Sequence, residues 1–262
     1  MDLSDFLIWL GRLPLRWRWI RTPSDLPVRG VEFPARDGTR LSGWHVPHPQ
    51  PRGAVLLCHG IYSTRMAMVA KARLLHRWGY TSLLFDFRGR GRSDGQCTIG
   101  FREPLDVLGA LDFLRTHHPD LPLAGLGDSL GASSLLAAMA QEGGLRCACL
   151  EACFATLEEA IGARAPRRSV KGIARRLEAT YSLPILEVNP LEHVRRIEQP
   201  LLFIHDSLDW CVPLHASRRL ARNAAGSSQL WVAPWTLHTR AALMAPQEYQ
   251  FRLGRFLADH LG

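Results

Sequence analysis

Three residues suited to acyl-transfer chemistry follow one another along the 262-residue chain in the order Ser129, Asp209, His238. A serine hydroxyl is a weak nucleophile until a base takes its proton, and an imidazole near neutral pH can take it. The imidazole needs a buried carboxylate to fix its tautomer and to offset the charge it gains. Ser129 lies in Gly127-Asp128-Ser129-Leu130-Gly131, which joins a short apolar run from Leu123 to an apolar helix-forming run that reaches Ala137. Strand, sharp turn and helix with a serine at the apex make a nucleophile elbow. Glycines two residues before and after the serine leave room where a Cβ would collide. The serine is held in a strained conformation, and the helix N-terminus turns free amides toward a forming oxyanion. A plain glycine-rich turn capped by Ser129 would share the pentapeptide; the flanking strand and helix favour the elbow.

Two main-chain N–H groups are expected to form the oxyanion hole: Leu130, after the nucleophile, and Ile61, after His59-Gly60. Losing one such donor costs about 3 kcal/mol of transition-state stabilisation. Gly60, Gly127, Gly131 and His59 are read as structural residues of the site. Asp206 rivals Asp209 as the acid, but its place at a strand end suits it to serve the turn there. His215 begins a helix and His260 is near the C-terminus, whereas His238 follows the last predicted strand.

These residues need a scaffold that gathers them. Val28 to Pro34 and Arg40 to Val46 read as a hairpin around Asp37-Gly38, a strong tight-turn dipeptide. Ala54 to Cys58, Thr81 to Phe85, Leu123 onward, Cys147 to Leu150, Leu201 to His205 and Gln229 to Ala233 are short apolar runs, as strands buried on both faces are. Helical patterns alternate with them: Thr64 to Trp78, Glu103 to His117, the run after Ser129, Leu214 to Asn223, and a last helix from Pro246 to near His260. The alternation predicts an α/β fold: a mostly parallel twisted sheet with helices on both faces and an N-terminal antiparallel hairpin. Right-handed crossovers put the strands' C-terminal ends on one rim, so His59, Asp86, Ser129, Asp209 and His238 gather where open α/β sheets bind ligands. Ala155 to Arg196 holds no convincing strand and carries Arg164, Arg167, Arg168, Lys171, Arg175 and Arg176 on predicted helices. The expected organisation is an amphipathic segment over 1–27, a core over 28–154 and 199–262, and a small helical cap inserted over 155–198.

Composition narrows the function. Apolar residues make up 47% of the chain, which argues against disorder, and the net charge of +8 is almost wholly arginine, with Lys71 and Lys171 the only lysines. No nucleic-acid recognition motif or basic–aromatic interleaving accompanies that charge, so no nucleic-acid partner is predicted. Gly89 and Gly91 fail the G-x-G-x-x-G spacing, with Asp94 at the third glycine's place, which argues against a nucleotide site. The six cysteines, Cys58, Cys97, Cys147, Cys149, Cys153 and Cys211, include no C-x-x-C pair and read as buried hydrophobes in a reducing compartment; no metal is expected. Acidic Asp2 and Asp5 replace the basic start of a secretory signal, and the apolar run Phe6 to Leu10 is too short to span a bilayer. A cytoplasmic location is expected. The alternative is peripheral membrane contact through the Trp- and Arg-rich residues 1–21.

With Val55-Leu56-Leu57-Cys58-His59-Gly60, Asp86-Phe87-Arg88-Gly89-Arg90-Gly91-Arg92-Ser93, Gly127-Asp128-Ser129-Leu130-Gly131, Asp209-Trp210-Cys211-Val212-Pro213 and His238, the chain resembles the α/β-hydrolase superfamily. The likeness is to the branch of monoacylglycerol lipases and serine-aminopeptidase-like hydrolases, and it runs from about Val28 to the C-terminus. Asp128 replaces a frequent histidine, Asp206 a usual glycine, and Trp235-Thr236-Leu237 a glycine often found before the histidine. The expected activity is cofactor-free hydrolysis of small carboxylic esters through an acyl-enzyme on Ser129. A peptidase, thioesterase or acyltransferase would use the same triad. The alternative of another class is a silent fold that binds a ligand or partner. The sequence leaves the oligomeric state open.

Overall fold

The computed structural model describes residues 20–163 and 184–262, together with 170, 172, 175, 178 and 179. All but two residues of the 1–21 segment lie outside the described residues, as do Arg164, Arg167, Arg168, Lys171 and Arg176. Eight strands form one sheet: β1 (Arg29–Pro34), β2 (Arg40–Val46), β3 (Gly53–Cys58), β4 (Tyr80–Phe85), β5 (Leu123–Asp128), β6 (Cys147–Glu151), β7 (Leu201–Asp206) and β8 (Ser228–Ala233). Their order across the sheet is β1-β2-β4-β3-β5-β6-β7-β8. Both pairings of β2, with β1 and with β4, are antiparallel, and every other pairing is parallel. The β1–β2 turn closes as Asp37-Gly38 predicts: Gly38 takes φ +84°, and its amide donates to the Ala35 carbonyl at 2.9 Å.

The apolar runs are unbroken because both faces of the sheet are covered. Leu56 and Cys58 pack into one layer with Val107, Leu111 and Leu114 of α2 (Glu103–His117) and with Leu135 and Leu136 of α3 (Leu130–Gln141). Val55 and Leu57, pointing the other way, join Leu75 of α1 (Val69–Arg77) and Leu253, Phe256 and Leu257 of α8 (Pro246–Leu261). Side chains two apart on a strand share a face, so each buried strand feeds two cores.

Between β6 and β7 the described residues are helical where they are regular: α4 (Leu157–Gly162), residues 170, 172, 175, 178 and 179, a 3₁₀ turn (Ile185–Glu187) and α5 (Pro190–Val194). Its ends are tied to each other, Leu157 N–H donating to Val188 O at 3.0 Å and Leu191 N–H to Ala155 O at 2.9 Å. The remaining helices, α6 (Leu214–Asn223) and α7 (Ala241–Met244), follow β7 and β8. Among the described residues no helix is long and apolar enough to cross a membrane.

Candidate active site

The sharp turn at Ser129 follows from its glycines. Ser129 sits between β5 and α3 at φ 52° and ψ −109°, and its side chain makes no capping hydrogen bond to the helix. A left-handed conformation in a non-glycine residue costs of order 1–3 kcal/mol and persists where the surroundings enforce it. A Cβ on Gly127 would lie 2.6 Å from Ala132 N, and one on Gly131 would run into the carbonyls of Cys58 and His59. Ser129 N–H donates to the Glu151 carbonyl at 2.8 Å, which ties the apex to the neighbouring strand.

Asp209 and His238 come from the loops after β7 and β8. The two loops are zipped together: Ser207 N–H donates to Ala233 O and Leu208 N–H to Thr236 O, each at 2.9 Å, and Trp235 N–H to Ser207 Oγ at 2.7 Å. His238 Nδ1 donates to Asp209 Oδ2 at 2.7 Å, and Asp209 Oδ1 accepts from the amides of Cys211 at 2.7 Å and Val212 at 2.9 Å. Burial works to raise the Asp209 pKa, but the hydrogen bond and charge of His238 and the two amides outweigh it, and the carboxyl is held below its ordinary value. The side chain of Asp209 is fully buried and that of His238 is 22% exposed, which leaves the imidazole within reach of a substrate.

Asp206, expected to serve its own turn, accepts the Asp209 amide on its carbonyl at 3.0 Å and also reaches further. Its Oδ2 accepts from the Thr239 amide at 2.9 Å, so it holds the backbone next to His238. Burial, and then the charge of Glu151, push its pKa up to about 7. The reason is topological: β7 and β8 are neighbours, and the carboxylate at the end of β7 faces the loop leaving β8.

On the other side of Ser129, Gly60 packs so close that an added Cβ would lie 3.7 Å from the Ser129 Cβ. His59 is wholly buried; its Nε2 accepts from Phe87 N–H at 3.1 Å, which leaves Nδ1 to donate to the Gly60 carbonyl at 2.7 Å. Burial lowers its pKa to about 4, so it stays neutral and fastens the loop that carries Ile61. Asp86 pins the next loop, accepting from the amides of Arg65 at 2.8 Å and Arg92 at 3.0 Å, while a Cβ on Gly91 would strike its carboxylate.

A buried ionic cluster that no motif in the sequence announces lies behind the turn. Lys71 of α1 contacts the carboxylates of Asp128 and Glu151. Burial works against its charge, but the two carboxylates outweigh it and raise the Lys71 pKa. Burial raises Asp128 to about 6 against the opposing pull of Lys71, and the charge of His238 is among the influences that lower it. A signal existed: Lys71 occupies a position of α1 flanked by buried Met68, Ala72 and Leu75.

Asp209, Cys211 and His238 offer ligand atoms within 4.8 Å of one another, the one such group among the described residues. The Asp209 and His238 atoms that face each other are already joined by a hydrogen bond, so the arrangement suits proton transfer rather than ligation. All six cysteines are buried and free of disulfides, and burial lifts the Cys147 thiol to about 12, far from reactivity.

A sheet of this order with a strained serine after β5 and a carboxylate–imidazole pair after β7 and β8 makes the chain an α/β-hydrolase. Residues 49–189, over half of the chain, match the family described as serine aminopeptidase, S33, and the chain belongs to that hydrolase family. It is 27% identical over 249 residues to the uncharacterized protein YqkD of Bacillus subtilis (strain 168), covering 86% of this chain and 77% of that one. It is 38% identical to a Penicillium polyketide transferase, grgF, over 76 residues, 29% of this chain and 26% of that one. Among solved structures, the Pyrococcus furiosus esterase PF2001 superposes with a TM-score of 0.81 at 27% identity, covering 96% of this chain and 98% of that one.

Proposed function

We propose that the protein hydrolyses carboxylic esters of small molecules through an acyl-enzyme on Ser129. The observation that carries the proposal is the orientation of His238. Asp209 Oδ2 takes the hydrogen on Nδ1, which leaves Nε2 as the ring nitrogen to accept a proton, and that is the atom the proposal assigns to the serine proton. Ser129 Oγ attacks the ester carbonyl as its proton passes to His238 Nε2. The oxyanion of the tetrahedral intermediate is held by the N–H groups of Leu130 and Ile61. His238 then gives the proton to the departing alkoxide, and the acyl group stays on Ser129. Water, deprotonated by the same ring, repeats the sequence and releases the acid. The esterase name of the Pyrococcus relative supports an ester over an amide.

The test is a panel of p-nitrophenyl esters of rising chain length, with Ser129→Ala as control and labelling by a fluorophosphonate. Hydrolysis lost in Ser129→Ala, together with labelling of the native protein at Ser129, supports the proposal. A native protein that neither hydrolyses nor labels is a binding protein on this fold. Acyl transfer to an acceptor other than water is the second reading, favoured by the likeness to the Penicillium transferase, and product analysis with added alcohols or thiols distinguishes it.

A further inference from the structure

Glu151 touches both halves of the site. It closes β6 and is wholly buried. Its main-chain carbonyl accepts the amide of Ser129 at 2.8 Å. Its carboxylate accepts from Lys71 Nζ on Oε2 at 2.8 Å and from the amide of Ala241 on Oε1 at 3.1 Å. Ala241 opens α7, three residues after His238, so one side chain anchors the loop that carries the imidazole while its backbone anchors the elbow. Burying an ion cluster is costly, and well-packed apolar residues often hold a fold as firmly. Stability is therefore a weak reason for this cluster, whereas the placing of two loops against each other is a specific one.

We infer that Glu151, held by Lys71, is a positioning residue that fixes the His238 loop against the nucleophile elbow. The inference rests on the reading of Ser129 as nucleophile and His238 as base. The chemistry explains why the residue is an acid. Two donors meet it on different oxygens, the Lys71 ammonium on Oε2 and the Ala241 amide on Oε1, and a carboxylate offers an acceptor at both places. A glutamine must turn its NH₂ group toward one of them. Removing Lys71 as well lets that glutamine turn its oxygen to Ala241.

The experiment compares kcat and KM for p-nitrophenyl acetate in the wild type, Glu151→Gln, Glu151→Asp and Lys71→Met/Glu151→Gln, per active site titrated, with Ser129→Ala as a control measured per mole of protein. Misplacement by about an ångström costs up to about 100-fold, so Glu151→Gln should lower kcat about 10- to 100-fold with KM within about threefold. The double variant should recover about tenfold of that loss although it lacks the ion pair. A purely structural role would lower the melting temperature, leave kcat per titrated site unchanged and show no recovery; that result overturns the inference. If Glu151→Gln does not fold, Glu151→Asp carries the test. It keeps the charge opposite Lys71 but withdraws the carboxylate from Ala241, and an unchanged kcat refutes the inference. Full activity in Ser129→Ala brings down the hydrolysis reading itself, whereas loss there with wild-type rates in the Glu151 variants brings down the positioning role alone.

Discussion

Replacing Asp209 by Asn tests the proposed chemistry with the least change of shape. Both oxygens of the carboxylate are committed, Oδ1 to the amides of Cys211 and Val212 and Oδ2 to His238 Nδ1. An asparagine must choose which side receives its single oxygen. Turning NH₂ toward two amides would set donor against donor and leave both N–H groups unsatisfied, at about 1–3 kcal/mol each. The oxygen therefore stays on the amides and the NH₂ faces His238. A donor opposite Nδ1 forces the ring hydrogen onto Nε2, the atom that must receive the Ser129 proton. The base is then present, correctly placed and in the wrong tautomer. In a serine protease with the same arrangement such a change lowers kcat about 10⁴-fold, equivalent to about 5.4 kcal/mol of barrier. Steady-state hydrolysis of p-nitrophenyl acetate at neutral pH measures it, with the fluorophosphonate labelling rate as an independent readout. KM and the near-UV circular dichroism should change little, because the two amide bonds and the side-chain volume are kept. A kcat within tenfold of wild type would show that the tautomer argument fails and that another carboxylate orients the ring.

Three further outcomes follow from the same physics. Gly131→Ala should cost about 1–3 kcal/mol in urea denaturation and most of the esterase rate, since the new Cβ meets the backbone carbonyl of Cys58, at the end of β3, and that of His59, which follows it; wild-type stability would contradict this. Arg88→Met should destabilise by about 3–5 kcal/mol, because the buried guanidinium is paired with Asp106, which is fully buried, and with Asp37; a loss under about 1 kcal/mol counts against it. Asp206 keeps its proton up to about pH 7 when folded but only to about 3.8 when unfolded, so between those values the native state binds the extra proton and wild-type stability falls as pH rises. Asp206→Asn removes that titration, so the variant should gain on the wild type from pH 4 to 7 in parallel melts; identical pH profiles refute the raised pKa.

The parts of the site legible in the sequence are those whose cause is local. Gly127 and Gly131 flank Ser129 because the turn has no room for a Cβ, and a pentapeptide displays that. Asp209 and His238 could be named because each follows a predicted strand, and parallel strands deliver their ends to one rim. The contacts of Glu151 were hidden for the opposite reason. Lys71 lies 80 residues before it and Ala241 lies 90 after it, and nothing in the run Cys147 to Glu151 says which neighbours the sheet order will supply. Asp206 serves its turn, as its strand-end place suggests, its carbonyl accepting from the Asp209 amide, but its carboxylate also takes the Thr239 amide, a partner set by the pairing of β7 with β8.

Of the five non-glycine residues with positive φ among the described residues, Ser129, Ala152, Trp235 and Thr239 all belong to the elbow, to the residue after Glu151, or to the loop bearing His238. Energy that could have gone into resisting heat is thus held as tension around the proposed reacting atoms. Breeding the chain for endurance alone would find its easiest gains in asparagine or glycine at positions 235 and 239, and each gain would slacken the grip on the imidazole. Robust descendants obtained that way should be slow catalysts, whereas descendants improved at the hairpin edge, far from this rim, should keep their speed.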